Sequence, residues 1–107
     1  MATAQATPRH KAQQKAQHPA ECQQLEQLPN IGPSIAADLR SIGVQHPGDL
    51  AERDAFDLYQ ALQRATGRRQ DPCVLDTFMA ATDFMRGAPR KPWWAYTAER
   101  KARFGVV

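Results

Sequence analysis

The segment that decides the fold is LPNIGPSIAADL, residues 28–39, in which a short apolar stretch runs into a turn and then into a helix. Asparagine is one of the few residues besides glycine that adopt a left-handed backbone, so Asn30 predicts a tight reversal of the chain. Gly32 has no Cβ to keep a partner away from the backbone. Pro33 suits the first position of a helix, where its missing N–H is no loss. The segment therefore predicts a turn followed at once by a helix.

The start of this helix is also a predicted anion site. The first amides of a helix have no partner within it, and the positive end of the helix dipole lies there. The amides of Ser34 and Ile35 are therefore expected to point outward and to donate to a negatively charged oxygen. Arg40 adds a positive charge about two turns further along the helix.

The segment resembles the hairpin of helix-hairpin-helix proteins, in which a Gly-apolar-Gly turn and a small residue four positions on grip a nucleic-acid phosphate. Asn30-Ile31-Gly32 corresponds to that turn, and Ala36 to the small residue. The sequence departs from the pattern at Asn30, where glycine is usual, and at Ser34, where Lys or Arg is frequent. The resemblance implies DNA contacts by Asn30, Gly32, Ser34, Ile35 and Arg40.

Two kinds of metal site are considered for this chain. Related hairpins hold a monovalent cation on carbonyl oxygens of the turn, and the resemblance implies the main-chain carbonyls of Glu26, Leu28 and Ile31. A zinc site is the other interpretation, but the two cysteines lie far apart and lack C-x-x-C spacing. Reduced thiols in or near the core are the favoured interpretation, with no cofactor. The zinc site would be built from Cys22, Cys73, His18 and His46.

Length and charge limit the class of protein. The 107 residues suffice for one domain with a tail. The net charge of +3 is uneven, with +3 on residues 1–19, −5 on residues 20–85 and +5 on residues 86–107. A phosphate-binding surface must take its charge from Arg40, from the chain ends or from a partner. No apolar run approaches the roughly 20 residues that span a bilayer, and the N-terminus lacks a hydrophobic signal segment, so a cytoplasmic protein without a membrane partner is expected.

Proline, glycine and capping residues divide the chain into short helices. Residues 1–19 lack large apolar side chains and are predicted to be a disordered tail. Helices are predicted over residues 20–27 and 33–42, briefly from 47, from 55 to 66, from 72 to 86, and from about 93 onward. No segment alternates with period two for long enough to indicate a strand. The predicted fold is all-α, a compact five- to six-helix bundle over residues 20–107 that contains the helix-hairpin-helix (SAM-like) unit.

PWWAYT, residues 92–97, is the second distinctive segment. Adjacent tryptophans cannot share one helix face, so one is expected on the core and the other near the surface. The functional interpretation is a stacking platform for an unpaired base, flanked by basic residues. The favoured alternative is a C-terminal helix held to the bundle by its aromatic side chains. In the functional interpretation, a secondary DNA contact is formed by Arg90, Lys91, Trp93, Trp94, Arg100 and Lys101.

No group of residues predicts catalysis. Cys73 lies at the start of a helix, where the pKa of a thiol falls, but the histidines lie in tail or turn contexts. DNA glycosylases that carry this hairpin place a catalytic aspartate shortly after it, within a larger two-lobed fold. Asp76 lies too far along the chain for that role. We therefore expect no enzymatic activity.

The order of the segments resembles one bacterial family. The hairpin is followed by SIGV at 41–44, DPCVLD at 71–76 and WWAYT at 93–97. This arrangement, over residues 20–101, is similar to the small bacterial helix-hairpin-helix proteins known as pathogenicity locus or mitomycin-resistance proteins. The resemblance implies an all-helical domain similar to DNA-repair hairpin folds. The predicted function is sequence-independent DNA binding through phosphates, linked to DNA repair or damage resistance. The alternative is a protein–protein interaction module without direct DNA contact.

Overall fold

The structure is a computed structural model that describes residues 15–107. This part of the chain is helical and contains no strand, which confirms the all-α class. Its α-helices are α1 (Pro33–Ser41), α2 (Ala55–Thr66), α3 (Pro72–Met85) and α4 (Thr97–Phe104). Its 3₁₀ turns are Pro19–Glu21, Leu25–Gln27, Pro47–Glu52 and Trp93–Tyr96. Across residues 15–107, every helix falls short of the length and hydrophobicity that a bilayer-spanning segment requires.

The start and stop signals of α2 and α3 act as the sequence predicts. Asp54 accepts a hydrogen bond from the Asp57 amide at 3.1 Å, and Asp71 accepts one from the Cys73 amide at 2.9 Å. These caps satisfy amides that have no partner within the helix. Gly67 ends α2 in a left-handed conformation with φ of 69°, which glycine adopts at no steric cost. Local side-chain chemistry therefore sets the ends of both helices.

α3 is the central element of the fold. It is buried on most of its faces and packs against α2, α4 and the 3₁₀ turns Pro47–Glu52 and Trp93–Tyr96. α1 packs against α2 and against the 3₁₀ turn Leu25–Gln27. The hairpin contributes fully buried apolar side chains to this core, so its position is set by the hydrophobic effect. They are Leu28, Ile31, Ala36 and Leu39.

Residues 20–27 differ from the single helix that their apolar spacing predicts. They form parts of two 3₁₀ turns, and the backbone of Gln24 between them is extended, with φ of −132°. The side-chain oxygen of Gln27 accepts hydrogen bonds from the amides of Gln23 and Gln24, at 2.7 and 2.8 Å. Because these bonds satisfy the two amides without an intervening helical turn, the first arm of the hairpin is a single 3₁₀ turn.

Residues 15–19 make defined contacts, although the tail is predicted to extend to residue 19. The Ala16 amide donates to the Gln27 carbonyl at 2.8 Å, and the side chain of Ala16 is buried. The Gln17 amide donates to a Glu21 carboxylate oxygen at 2.9 Å. A small side chain and paired amides let this segment lie against the hairpin without large apolar residues. The rest of the predicted tail, residues 1–14, lies outside the described residues.

A buried carboxylate joins α4 to α3. Asp76 is fully buried, and its two oxygens accept hydrogen bonds from Arg100 Nε and from Thr97 Oγ1, both at 2.8 Å. The Arg100 side chain is itself mostly covered, with 11% of its surface exposed. A buried charge is tolerated only when it is paired and hydrogen-bonded. The pair therefore anchors the C-terminal helix on the core.

The variant Asp76→Ala is expected to lower the free energy of unfolding by about 3 kcal/mol, because it leaves the covered Arg100 charge without a partner. Glu99→Ala is the matched control, since the Glu99–Arg103 pair is about half exposed on both sides. We expect that control to cost less than about 1 kcal/mol. Urea unfolding followed by circular dichroism measures both values. Equal losses in the two variants would contradict the anchoring role of Asp76.

Candidate nucleic-acid interface

The hairpin reverses at Leu28–Ile31, where the Ile31 amide donates to the Leu28 carbonyl at 3.2 Å. Pro29 is the second residue of this turn, and Asn30, the third, has a φ of 70°. A proline at the second position and a left-handed residue at the third are typical of a type II turn. The predicted left-handed conformation of Asn30 is therefore confirmed.

Gly32 leaves the start of α1 open. Its backbone is extended, with φ of −93°, so this position does not require glycine for its conformation. A Cβ built on Gly32 meets no atom within 4 Å. Glycine therefore provides space for an approaching group rather than an unusual backbone.

The amides at the start of α1 are available to a ligand. Gly32 is the N-cap residue, and among the described residues no side chain caps this helix. The Ala36 amide makes the first bond along the helix, to the Gly32 carbonyl at 2.9 Å. The amides of Ser34 and Ile35 precede that bond, and the Ser34 side chain is exposed. An anion at this corner would meet two amide donors at the positive end of the helix dipole.

Arg40 is engaged within the hairpin. Its guanidinium makes two hydrogen bonds to the Glu26 carboxylate, at 2.8 and 2.9 Å. The hydrogen bonds from Arg40 lower the pKa of Glu26. The pair ties α1 to the 3₁₀ turn Leu25–Gln27, and much of the Arg40 charge is compensated by Glu26. Arg40 is therefore better suited to holding the hairpin than to supplying free charge.

The basic C-terminal segment reaches the hairpin through Asn30. The Asn30 side-chain Nδ2 donates to the Lys91 carbonyl at 2.8 Å, across 61 residues of sequence. Asn30 and Lys91 line an open cleft of about 350 Å³ beside the turn. None of the described residues that line the cleft is acidic, and half of them are basic. The cleft is lined by Lys15, Pro29, Asn30, Arg90, Lys91 and Pro92.

Lys15 is the site residue that the sequence analysis missed. Its ammonium donates to the carbonyls of Glu26 and Ile31, at 2.8 and 2.6 Å, and its side chain lines the cleft. Lys15 stands in a stretch of Ala, Gln and Lys without apolar periodicity. No local pattern there distinguishes one lysine from another, so only the folded structure identifies it.

The carbonyls that the resemblance assigns to a monovalent cation do not fit one here. The Glu26 and Ile31 oxygens both accept from the Lys15 ammonium, and the Leu28 oxygen accepts from the Ile31 amide. A metal ion at this point would have to displace the lysine side chain. The arrangement is therefore a lysine-filled turn rather than an open cation site.

The segment PWWAYT is expected to place one tryptophan on the core and the other near the surface, but neither tryptophan is fully buried. Trp93 is half-buried and Trp94 is 63% exposed, with the two rings edge to face at 5.6 Å between centroids. Tyr96 is the buried aromatic side chain, and the Lys91 ammonium lies 5.7 Å from the centre of its ring. Tyr96 therefore holds this segment to the core, while Trp94 faces solvent.

Arg100 and Lys101 are placed apart from Arg90 and Lys91. Arg100 is paired with the buried Asp76, so its charge is compensated. Lys101 lines a different groove, together with Arg69. Of the basic residues proposed as secondary contacts, the structure brings only Arg90 and Lys91 to the hairpin.

The two thiols both have raised pKa values. Burial raises the pKa of Cys22 to about 11. The pKa of Cys73 is also raised, by burial and by the adjacent Asp71 carboxylate, which corrects the lowering expected at a helix start. Within residues 15–107, no three His, Cys, Asp or Glu side chains come together in a way that could hold a metal ion.

Comparison with known proteins identifies the family. The "Mitomycin resistance protein McrB" of Streptomyces lavendulae is 46% identical over 77 residues, which cover 72% of this chain and 73% of that protein. No solved structure matches the chain significantly. The family model described as "Pathogenicity locus" matches residues 18–102, which include the hairpin, the cleft residues Arg90 and Lys91, the whole of α1, α2 and α3, and α4 up to residue 102. The chain therefore belongs to the Pathogenicity locus family.

Proposed function

We propose that this protein binds DNA through its phosphates, without sequence preference, at the corner where the hairpin meets the basic C-terminal segment. The observation that carries the proposal is the hydrogen bond from Asn30 to the Lys91 carbonyl. It brings two cations from the far end of the chain to the turn that precedes an uncapped helix start. Amide donors and positive charge at one place are what a phosphate requires.

The composition of the cleft supports phosphate rather than base contacts. Lys15, Arg90 and Lys91 supply charge in the cleft, and the amides at the start of α1, which begins three residues after Asn30, supply directed donors. Such groups bind phosphate oxygens, which are the same in every sequence. Each neutralised phosphate adds about −0.9 to the slope of log affinity against log salt, so a site of this size predicts a shallow dependence.

The relative's name supports the wider role that we propose. The name of that protein refers to mitomycin resistance. We extend a role in resistance to this chain, with DNA as the bound molecule and repair or protection of DNA as the process. The exposed Trp94 favours a second candidate, a protein-interaction module, because large exposed aromatic side chains are common at interfaces.

The variant Gly32→Asp is expected to bind duplex DNA about tenfold more weakly, a loss of ~1.4 kcal/mol. An aspartate at the N-cap accepts from the first amides of α1 and adds a negative charge where the phosphate would lie. Because aspartate is a favourable N-cap, the variant should be at least as stable as the parent. Fluorescence anisotropy with random-sequence duplex measures the affinity, and thermal unfolding measures the stability.

Gly32→Ala is the matched control for this variant. The Cβ of alanine meets no atom within 4 Å, and its side chain offers neither charge nor acceptor. Because alanine adds a Cβ where the phosphate would approach but adds no charge, we expect this control to lose much less affinity than Gly32→Asp. If Gly32→Asp binds DNA as well as Gly32→Ala, the start of α1 is not the phosphate site.

The variants Arg90→Ala and Lys91→Ala are each expected to reduce the salt slope of duplex binding by up to about 0.9, since each removes one cation from the cleft. Replacing the Lys91 side chain leaves its carbonyl in place for Asn30. Lys101→Ala removes the same charge from a different groove and should leave the slope unchanged. Anisotropy titrations at several salt concentrations measure the slopes. If all three variants lose affinity equally, or none does, the cleft has no specific role and the protein-interaction candidate is favoured.

A further inference from the structure

The Lys15 ammonium lies between the two arms of the hairpin. Its Nζ donates to the Glu26 carbonyl, before the reversal, at 2.8 Å, and to the Ile31 carbonyl, after the reversal, at 2.6 Å. Because both oxygens accept from the same nitrogen, they face one point on either side of the turn at Asn30. Two carbonyl dipoles that converge in this way repel each other unless a donor or a cation lies between them. One positive group therefore holds both sides of the reversal together.

The lysine is positioned by the chain around it. The amide of the next residue, Ala16, donates to the Gln27 carbonyl at 2.8 Å, and the Ala16 side chain is buried. The Gln17 amide donates to the Glu21 carboxylate at 2.9 Å. These bonds fix the backbone next to Lys15. Little further ordering of the lysine side chain is then needed to place its ammonium at the two carbonyls.

Holding a charge here has an electrostatic cost. Burial lowers the pKa of Lys15; the Glu26 carboxylate acts in the opposite direction, and the positive charge of Arg90 acts in the same direction as burial. The two short hydrogen bonds from Nζ offset this cost, because each carbonyl gains a charged donor. This position therefore suits a charged group that donates hydrogen bonds to both carbonyls.

We propose that Lys15 is a built-in replacement for a monovalent cation at the hairpin. Main-chain carbonyls bind potassium by replacing its hydration shell, and an ammonium presents the same single charge to the same oxygens. Because the ammonium is tethered to the chain, it occupies the two oxygens without the loss of translational freedom that a free ion would undergo on binding. The hairpin of this protein is therefore independent of potassium and sodium.

The charge of Lys15 also belongs to the proposed phosphate site. Its side chain lines the cleft with Arg90 and Lys91, so its ammonium adds to the positive field there. This second consequence rests on the proposed function, whereas the role of Lys15 in the hairpin does not. The two consequences can therefore be tested separately.

Thermal unfolding of Lys15→Ala in chloride salts of potassium, ammonium and tetramethylammonium, at equal ionic strength, tests the proposal. In tetramethylammonium chloride the variant should melt about 5–10 °C below the parent, since two carbonyls lose their donor. Ammonium or potassium, which are small enough to enter, should restore at least half of that loss. The parent, and the control Lys91→Ala, should show no such difference between the three salts.

Two results would overturn the proposal. One is a Lys15→Ala protein whose melting temperature, relative to that of the parent, is the same in all three salts. The other is a parent protein that potassium stabilises saturably in a tetramethylammonium background, a measurement that decides the question even if the variant does not fold. Duplex binding by Lys15→Ala, with and without ammonium, then tests the phosphate role. If the parent binds no DNA, the proposed function fails, while the unfolding comparison still decides whether Lys15 replaces a cation.

Discussion

The left-handed backbone of Asn30, with φ of 70°, and the hydrogen bond from its side chain to the Lys91 carbonyl hold the turn and the C-terminal segment together. The backbone conformation reverses the chain, so that α1 starts immediately after the turn and two carbonyls converge on Lys15. The side chain brings in the basic C-terminal segment. Glycine would permit the same reversal but has no amide to reach Lys91. Asparagine in place of the usual first glycine therefore has a physical reason in this chain.

The acidic middle of the sequence does not oppose an anion site as strongly as its net charge of −5 suggests. Many of its carboxylates have partners within the fold. Asp54 and Asp71 cap helices, Glu26 is paired with Arg40, and Asp76 is buried against α4. Carboxylates held in caps and ion pairs have a weaker field at a distance than free ones, because the partner charge or dipole opposes them. A positively charged cleft can therefore exist in a protein whose middle residues, 20–85, are acidic overall.

Local signals predicted the parts of the fold that depend on local chemistry. The left-handed Asn30, the proline-led start of α1, the caps at Asp54 and Asp71 and the glycine after α2 were all readable from short segments. Residues 20–27 were misread because the Gln27 side chain competes for the amides that a helix would use. A helix start predicts a lowered pKa for Cys73, but burial and the Asp71 carboxylate raise it.

The sequence by itself determined the helical class, the left-handed turn at Asn30 and the proline-led start of α1, because each depends on residues within one or two turns of one another. Only the tertiary structure decided which cations serve that hairpin. Arg40 and Arg100 were drawn into ion pairs, Lys101 faces another groove, and Lys15, Arg90 and Lys91 meet at the turn. That selection depends on contacts between distant segments, such as the one that joins Asn30 to Lys91 across 61 residues, and no local pattern of charge records it.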